Sequence, residues 1–258
     1  MVRLLEWLSY EMHTPSAYGT LNDSWFQYLT TVIWLGFMVY AYVNLRTLDP
    51  IKVKRLLFRT SMVLLVFEAY KQIIFTYQAA AYQWYAFPFQ FCSVPMYLMI
   101  GQKFARGRLQ TALWQFLQMY GLFAGFAVVL VPVAIYTSTI GINVQTMVHH
   151  GAIAYVGWIL LLNHKGTRSM FMDATLVFVG VTVLASAMNT VFNATGNTQT
   201  FTMFFLNPRF NSNIPILSLF KDHISPLNYV LLFLLGYAMI AFFIYYLSAL
   251  YHQKVKQS

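Results

Sequence analysis

The chain has 258 residues, of which 59% are hydrophobic and only 9% charged, and its net charge is +9. A soluble domain carries about a quarter of its residues as charges, so this composition excludes an ordinary water-soluble globule. Cys92 is the single cysteine, which excludes an intrachain disulfide.

The first stretch, Met1 to Met12, mixes Glu6 and Glu11 with Leu4, Leu5, Trp7 and Leu8. It is too short and too charged for the apolar part of a signal peptide. It is predicted as an amphipathic helix on the outer membrane surface, within an N-terminal segment 1–24. Seven apolar stretches follow, at about 25–45, 56–78, 87–102, 109–135, 143–162, 171–192 and 226–249. A bilayer core takes about 20 residues per helix, and every backbone N–H and C=O inside it must be paired internally. The stretches are therefore predicted as helices; a barrel would show shorter segments of alternating polarity. The third is short and holds Pro95, which predicts a kinked, tilted or partly re-entrant span. Gly121 and Gly125 in GLFAG have the spacing that lets helices approach closely.

The segment 193–225 separates the last two spans. It opens on the turn-prone NATGNTQT and continues through FTMFFLNPRF and NIPILSLF, which are too apolar for a loop extended into water. Two readings stand: a lid or interfacial segment over the outer helix ends, or a packed extracytoplasmic loop. Residues 250–258 form a basic tail.

Charge placement sets orientation. Arg46, Lys52, Lys54, Arg55, Arg59, Lys103, Arg106, Arg108, Lys165, Arg168, Lys254 and Lys256 all fall on one side of the alternation, against Arg3, Arg209 and Lys221 on the other. Basic loops stay cytoplasmic. The expected fold class is all-α, a polytopic transmembrane bundle of about seven helices spanning 25–249, with the N-terminus outside and the C-terminus cytoplasmic. The basic side meets anionic lipid headgroups, so membrane lipids are the expected partners and nucleic acid is not.

Polar residues inside the apolar stretches are the candidate functional groups. Glu68, Lys71 and Gln72 in FEAYKQIIF share one helix face; they are either an internal ion pair that fixes packing or part of a site. Gln90 and Cys92 follow Pro88 in FPFQFCSVPMY, and Gln145, His149 and His150 lie in GINVQTMVHHG. Successive residues on a helix are about 100° apart, so only one of the two histidines is expected to face a given cavity. Asn189 ends the sixth span. At about 1.5 Å per residue, Cys92 and His149 each lie roughly 9–10 Å below the outer surface, with Lys71 at similar depth. The expectation is a shared polar pocket in the outer half. The cytoplasmic half shows no comparable set, only Asn163 and Asp173 near its surface.

The motifs FPFQFCSVPMY and GINVQTMVHHG, with FTMFFLNPRF, resemble the YwaF-like integral membrane family of bacteria, from about the second helix through the last. That family is similar to an animal transmembrane branch proposed to transfer acyl chains between lipids with an intramembrane cysteine and histidine. The resemblance implies a multi-pass protein of the bacterial plasma membrane. The animal Pro-Cys-His motif falls on Pro88, Phe89 and Gln90 here, with Cys92 three residues beyond Phe89, and the family histidine aligns with His150.

A thiol nucleophile needs a base or cation to activate it. Cys92 with His149 or His150 meets that need, and Lys71 can hold an oxyanion or a phosphate. The structural alternatives are a small buried thiol and histidines hydrogen-bonded between helices. Adjacent histidines without a carboxylate at ligand spacing do not make a metal site, and no cofactor is called for. Two function classes follow: a lipid-active acyltransferase or hydrolase, and a small-solute or ion transporter or ligand-binding membrane protein. A scaffold without chemistry is a third. A transporter needs a polar path to the cytoplasmic side, which the sequence does not show, and no inverted repeat is visible.

Overall fold

The computed structural model describes residues 2–132, 135–212 and 214–255. Its helices are α1 (Val2–Leu8), α2 (Leu21–Asn44), α3 (Pro50–Ala79), α4 (Val94–Gly101), α5 (Gly107–Phe116), α6 (Leu122–Leu130), α7 (Ile140–Asn163), α8 (Arg168–Ala194) and α9 (Pro226–Val255). A π-helical turn, Leu117–Gly121, joins α5 to α6, so that Gly107–Leu130 is one continuous rod. The fold is all-α, with one isolated bridge, Glu11 to Thr139, among the described residues.

Local chemistry sets the helix starts. The Asp49 side chain accepts the Lys52 N–H at 2.9 Å and Pro50 supplies a first helical residue with no N–H to satisfy, which begins α3. Thr167 caps α8 by accepting the Met170 N–H at 3.3 Å. At its far end α3 stops on Ala80, which turns left-handed at φ 52°.

Four helical runs are long and apolar enough to cross a membrane by length and composition: Leu21–Asn44, Gly107–Leu130, Arg168–Ala194 and Pro226–Lys254. α7 is the inner pillar, packed by α2, α3, α6 and the π turn. Around it α2, α8 and α9 turn rows of apolar side chains outward, including Val32, Val39, Val43, Leu176, Val183, Leu227 and Phe243. Continuous apolar surface of this extent matches lipid, not water.

Contacts between helix ends define a basic end of the bundle. Asn163 donates to the Leu45 carbonyl at 2.7 Å and accepts the Leu48 N–H at 2.7 Å, tying the end of α7 to the α2–α3 loop. Gln102 donates to the Lys54 carbonyl at 3.1 Å, Arg108 meets Asp173 at 2.6 Å, and His252 meets the Leu161 carbonyl at 3.0 Å. The loops carrying Arg46, Lys103, Arg106 and Lys165, and the first turn of α3 with Lys52, therefore gather on one side.

Two expectations change in detail, and of the two readings of 193–225 the packed one describes its first half. The third stretch is helical only over Val94–Gly101, and Pro95 opens that helix instead of kinking it, since its missing N–H is harmless in the first turn. Cys92 consequently lies in the turn before α4 and not on a helix. The N-terminal helix ends at Leu8, where Tyr70 donates to the Leu8 carbonyl at 2.6 Å; the chain then runs extended beside Ser138–Ile140. The segment after α8 is a packed plug: Phe201, Met203, Phe204 and Leu206 are buried in the main aromatic core. That burial explains the apolar composition of its first half; farther on, Ile216, Leu219 and Phe220 are exposed.

Candidate functional site

Glu68, Lys71 and Gln72 lie one helical turn apart on α3 and meet as that spacing requires. Lys71 Nζ is 2.9 Å from Glu68 Oε1. Gln72 Nε2 donates to the same carboxylate oxygen at 2.8 Å and to the Ala86 carbonyl at 2.6 Å. This pins the turn Trp84–Ala86 onto α3. Glu68 is buried, and its Oε2 has no hydrogen-bond partner. Outside this group runs an apolar cleft of about 440 Å³, lined by Leu5, Gln72, Ile73, Thr76, Tyr77 and Tyr82. The amide of Gln72 thus touches both the buried charges and the membrane-facing surface.

His149 reaches from α7 to the turn before α4, with its Nε2 3.0 Å from the Cys92 carbonyl. A carbonyl only accepts, so this nitrogen carries the proton and Nδ1 presents a lone pair. That Nδ1 is buried without a partner. His150 Nδ1 lies 2.7 Å from the Thr146 carbonyl one turn back on its own helix, which by the same argument leaves Nε2 as its lone pair. The two imidazoles sit edge to face, 5.5 Å between centroids at 64°. Their backbones diverge as expected, yet the rings adjoin. The observed contacts join His149 to the turn holding Cys92 and join Lys71 to Glu68. No hydrogen bond links the Cys92 thiol to either ring among the described contacts; the bond is to its carbonyl.

The other sequence candidates divide. Gln145 is buried on α7, with Oε1 3.4 Å from Thr146 Oγ1. Gln90 and Asn189 clamp the plug. Gln90 donates to the Thr202 carbonyl at 3.0 Å and accepts the Phe204 N–H at 3.1 Å. Asn189 accepts the Met203 N–H at 2.8 Å and donates to its carbonyl at 3.1 Å. Phe204 and Phe205 are both left-handed at φ 57°, a conformation costing about 1–2 kcal/mol per L-residue, and the two amides hold it in place. Asn207, fully buried, completes the seam through mutual bonds with Asn193 at 3.0 Å.

A second buried polar set lies at the basic end, where none was expected. Trp114 Nε1 donates to Gln102 Oε1 at 3.1 Å, Gln115 to Gln118 at 3.1 Å, and Gln118 to Ser248 at 2.9 Å. Gln115 Oε1 and His164 Nε2 are buried and unpartnered. The signal available in the sequence was the three-residue spacing of Gln115 and Gln118, which puts both on one face of the α5–α6 rod. Ser248 joins them only through the packing of α9 on the π turn. Between the two polar sets stands an apolar layer of Leu64, Met96, Met99, Ile153 and Val156, each at most 1% exposed. No group of three His, Cys, Asp or Glu side chains converges on a metal position among the described residues.

A family model matches residues 17–248, nearly the whole chain, and the chain belongs to the TMEM164 family, a family of membrane proteins. Neither the curated proteins nor the solved structures give a match.

Proposed function

We propose that this TMEM164-family protein is a lipid-active membrane enzyme of the YwaF-like bacterial branch, moving an acyl chain from an ester lipid through Cys92. The observation that carries the reading is His149: one ring nitrogen is fixed on the Cys92 carbonyl, and the other is a buried lone pair without a partner. A lone pair without a partner is free to accept a proton. Alternating helix directions and the basic end support seven passes with the basic end cytoplasmic; on that reading Cys92 and the histidines belong to the outer half of the plasma membrane.

In the proposed reaction the Cys92 thiol gives its proton to the imidazole and its sulfur attacks the ester carbonyl. In this reading Lys71, whose ammonium is held by Glu68 at 2.9 Å, supplies the positive charge that stabilises the tetrahedral oxyanion. Collapse breaks the ester C–O bond, and the departing alcohol of the lysolipid takes the proton back from His149. An acceptor alcohol then resolves the thioester in acyl transfer, or water does so in hydrolysis. The apolar cleft beside Gln72 is the lateral route for the chain.

A carrier is the alternative, and the Gln–Ser–His set at the basic end favours it. The apolar layer between the two sets opposes it, since a solute crossing the bundle would pass Met96 and Ile153 without a polar contact.

The test is acyl exchange between labelled phospholipid and lysolipid by the purified protein in lipid nanodiscs. Cys92→Ala should abolish exchange and the hydroxylamine-labile acylation of the protein, and His149→Gln should slow exchange by about 10²–10⁴-fold. Exchange undiminished in Cys92→Ala overturns the assignment.

A further inference from the structure

At the basic end, a cleft of about 330 Å³ opens between the first turns of α3 and α5, lined by Pro50, Ile51, Lys54, Gln110, Thr111 and Trp114. We infer that this cleft binds the phosphate of an anionic phospholipid headgroup.

Lys54 is the centre of the argument. It is half-buried, and among the described residues no carboxylate lies within ion-pair distance of it. The nearest acid in sequence, Asp49, is occupied by the Lys52 N–H at 2.9 Å and by Lys52 Nζ at 3.5 Å. A half-buried ammonium without a counterion is costly, and an anion in the cleft removes that cost. Outside the lining, Lys103 Nζ sits 3.8 Å above the ring of Phe58, one turn beyond Lys54 on α3.

The walls are held before any ligand arrives. Gln102 donates to the Lys54 carbonyl and accepts from Trp114 Nε1, each at 3.1 Å, so one buried amide sets the spacing of the two helices. A preformed site loses less entropy on binding. Gln110 adds an amide N–H suited to phosphate oxygens, while the Thr111 hydroxyl is donated to the Gly107 carbonyl at 3.2 Å.

The rest of the lining identifies the source of the phosphate. Pro50, Ile51 and Trp114 are apolar, and Ile51 is 71% exposed. A free phosphate ion gains nothing from them, whereas a glycerophospholipid lays its glycerol and upper acyl carbons there. The cleft lies across the apolar layer from Cys92, so this inference is independent of the catalytic proposal.

Native mass spectrometry of protein released from nanodiscs tests it, comparing discs of phosphatidylcholine alone with discs containing phosphatidylglycerol, and a third arm with added inorganic phosphate. Wild type should retain phosphatidylglycerol preferentially. Lys54→Gln should lose that retention about fivefold, the worth of one cation at an anionic surface, and Lys54→Arg should restore it. Arg59→Gln, at an exposed position on the same helix, should leave it unchanged. Equal losses in Lys54→Gln and Arg59→Gln would reduce the effect to general surface charge and overturn the site. Displacement of the lipid by inorganic phosphate would overturn the lipid assignment.

Discussion

Asn189 grips both backbone groups of Met203, accepting the N–H at 2.8 Å and donating to the carbonyl at 3.1 Å. One side chain thus stands in for a strand partner and ties the plug after α8 to the helix that precedes it. Met203 is fully buried, so no water replaces the amide. Asn189→Ala should destabilise the protein by about 2–6 kcal/mol, since each of the two buried backbone groups left unpaired costs about 1–3 kcal/mol. Thermal unfolding in detergent measures this, and faster proteolysis at 195–200 should accompany it. An unshifted midpoint would mean that the plug is held by its aromatic residues alone.

Glu68 and Lys71 form a pair that is only 6% and 16% exposed at the side chains. Removing one partner strands the other charge out of water, so Glu68→Gln and Lys71→Met should each cost about 3–5 kcal/mol. The double substitution should recover most of the loss. A double-mutant cycle by thermal unfolding reads the coupling; additive losses would show that the ion pair contributes nothing as a pair.

Arg108 and Asp173 join α5 to α8 with two bonds, at 2.6 and 2.8 Å, yet Arg108 is 78% exposed. Solvent and salt screen such a pair. Asp173→Asn should therefore shift the unfolding midpoint far less than Glu68→Gln does, and the small shift should vanish at high salt.

Gly125 allows α6 to lie against α7 almost backbone to backbone. A Cβ added there would overlap the His150 carbonyl and come within 2.8 Å of the Ala154 Cβ. Gly125→Ala should cost about 1–3 kcal/mol through forced separation of the helices, and by moving His150 it should also alter the lipid-exchange rate. Gly180, where nothing lies within 4 Å, is the control; Gly180→Ala should be neutral or mildly stabilising. Equal melting behaviour of the two variants would contradict the close approach.

Helical class and polar candidates were legible because each depends on local pattern. Each apolar stretch contains a helix, with ends differing by up to six residues, and the third is helical only over Val94–Gly101. The i, i+3, i+4 spacing of Glu68, Lys71 and Gln72 predicted that they would meet, and they do. The tasks of Gln90 and Asn189 were not legible. Both were singled out as intramembrane amides, but their partners are backbone groups of 202–204, more than ten residues away in one case and more than a hundred in the other. Likewise Gln118 finds Ser248 across 130 residues of chain.

By itself, then, the amino-acid order determined that this chain is helical and built for lipid, where its charges gather, and which polar side chains sit in apolar surroundings. Those properties follow from composition and from periods of three or four residues, which act over a single turn. Tertiary structure alone decided that His149 would meet the Cys92 carbonyl, that Phe201, Met203, Phe204 and Leu206 would enter the core, and that a second polar set would form at the basic end. Such pairings depend on how helices rotate and cross, a choice made by side-chain packing over long separations, and no local pattern encodes it.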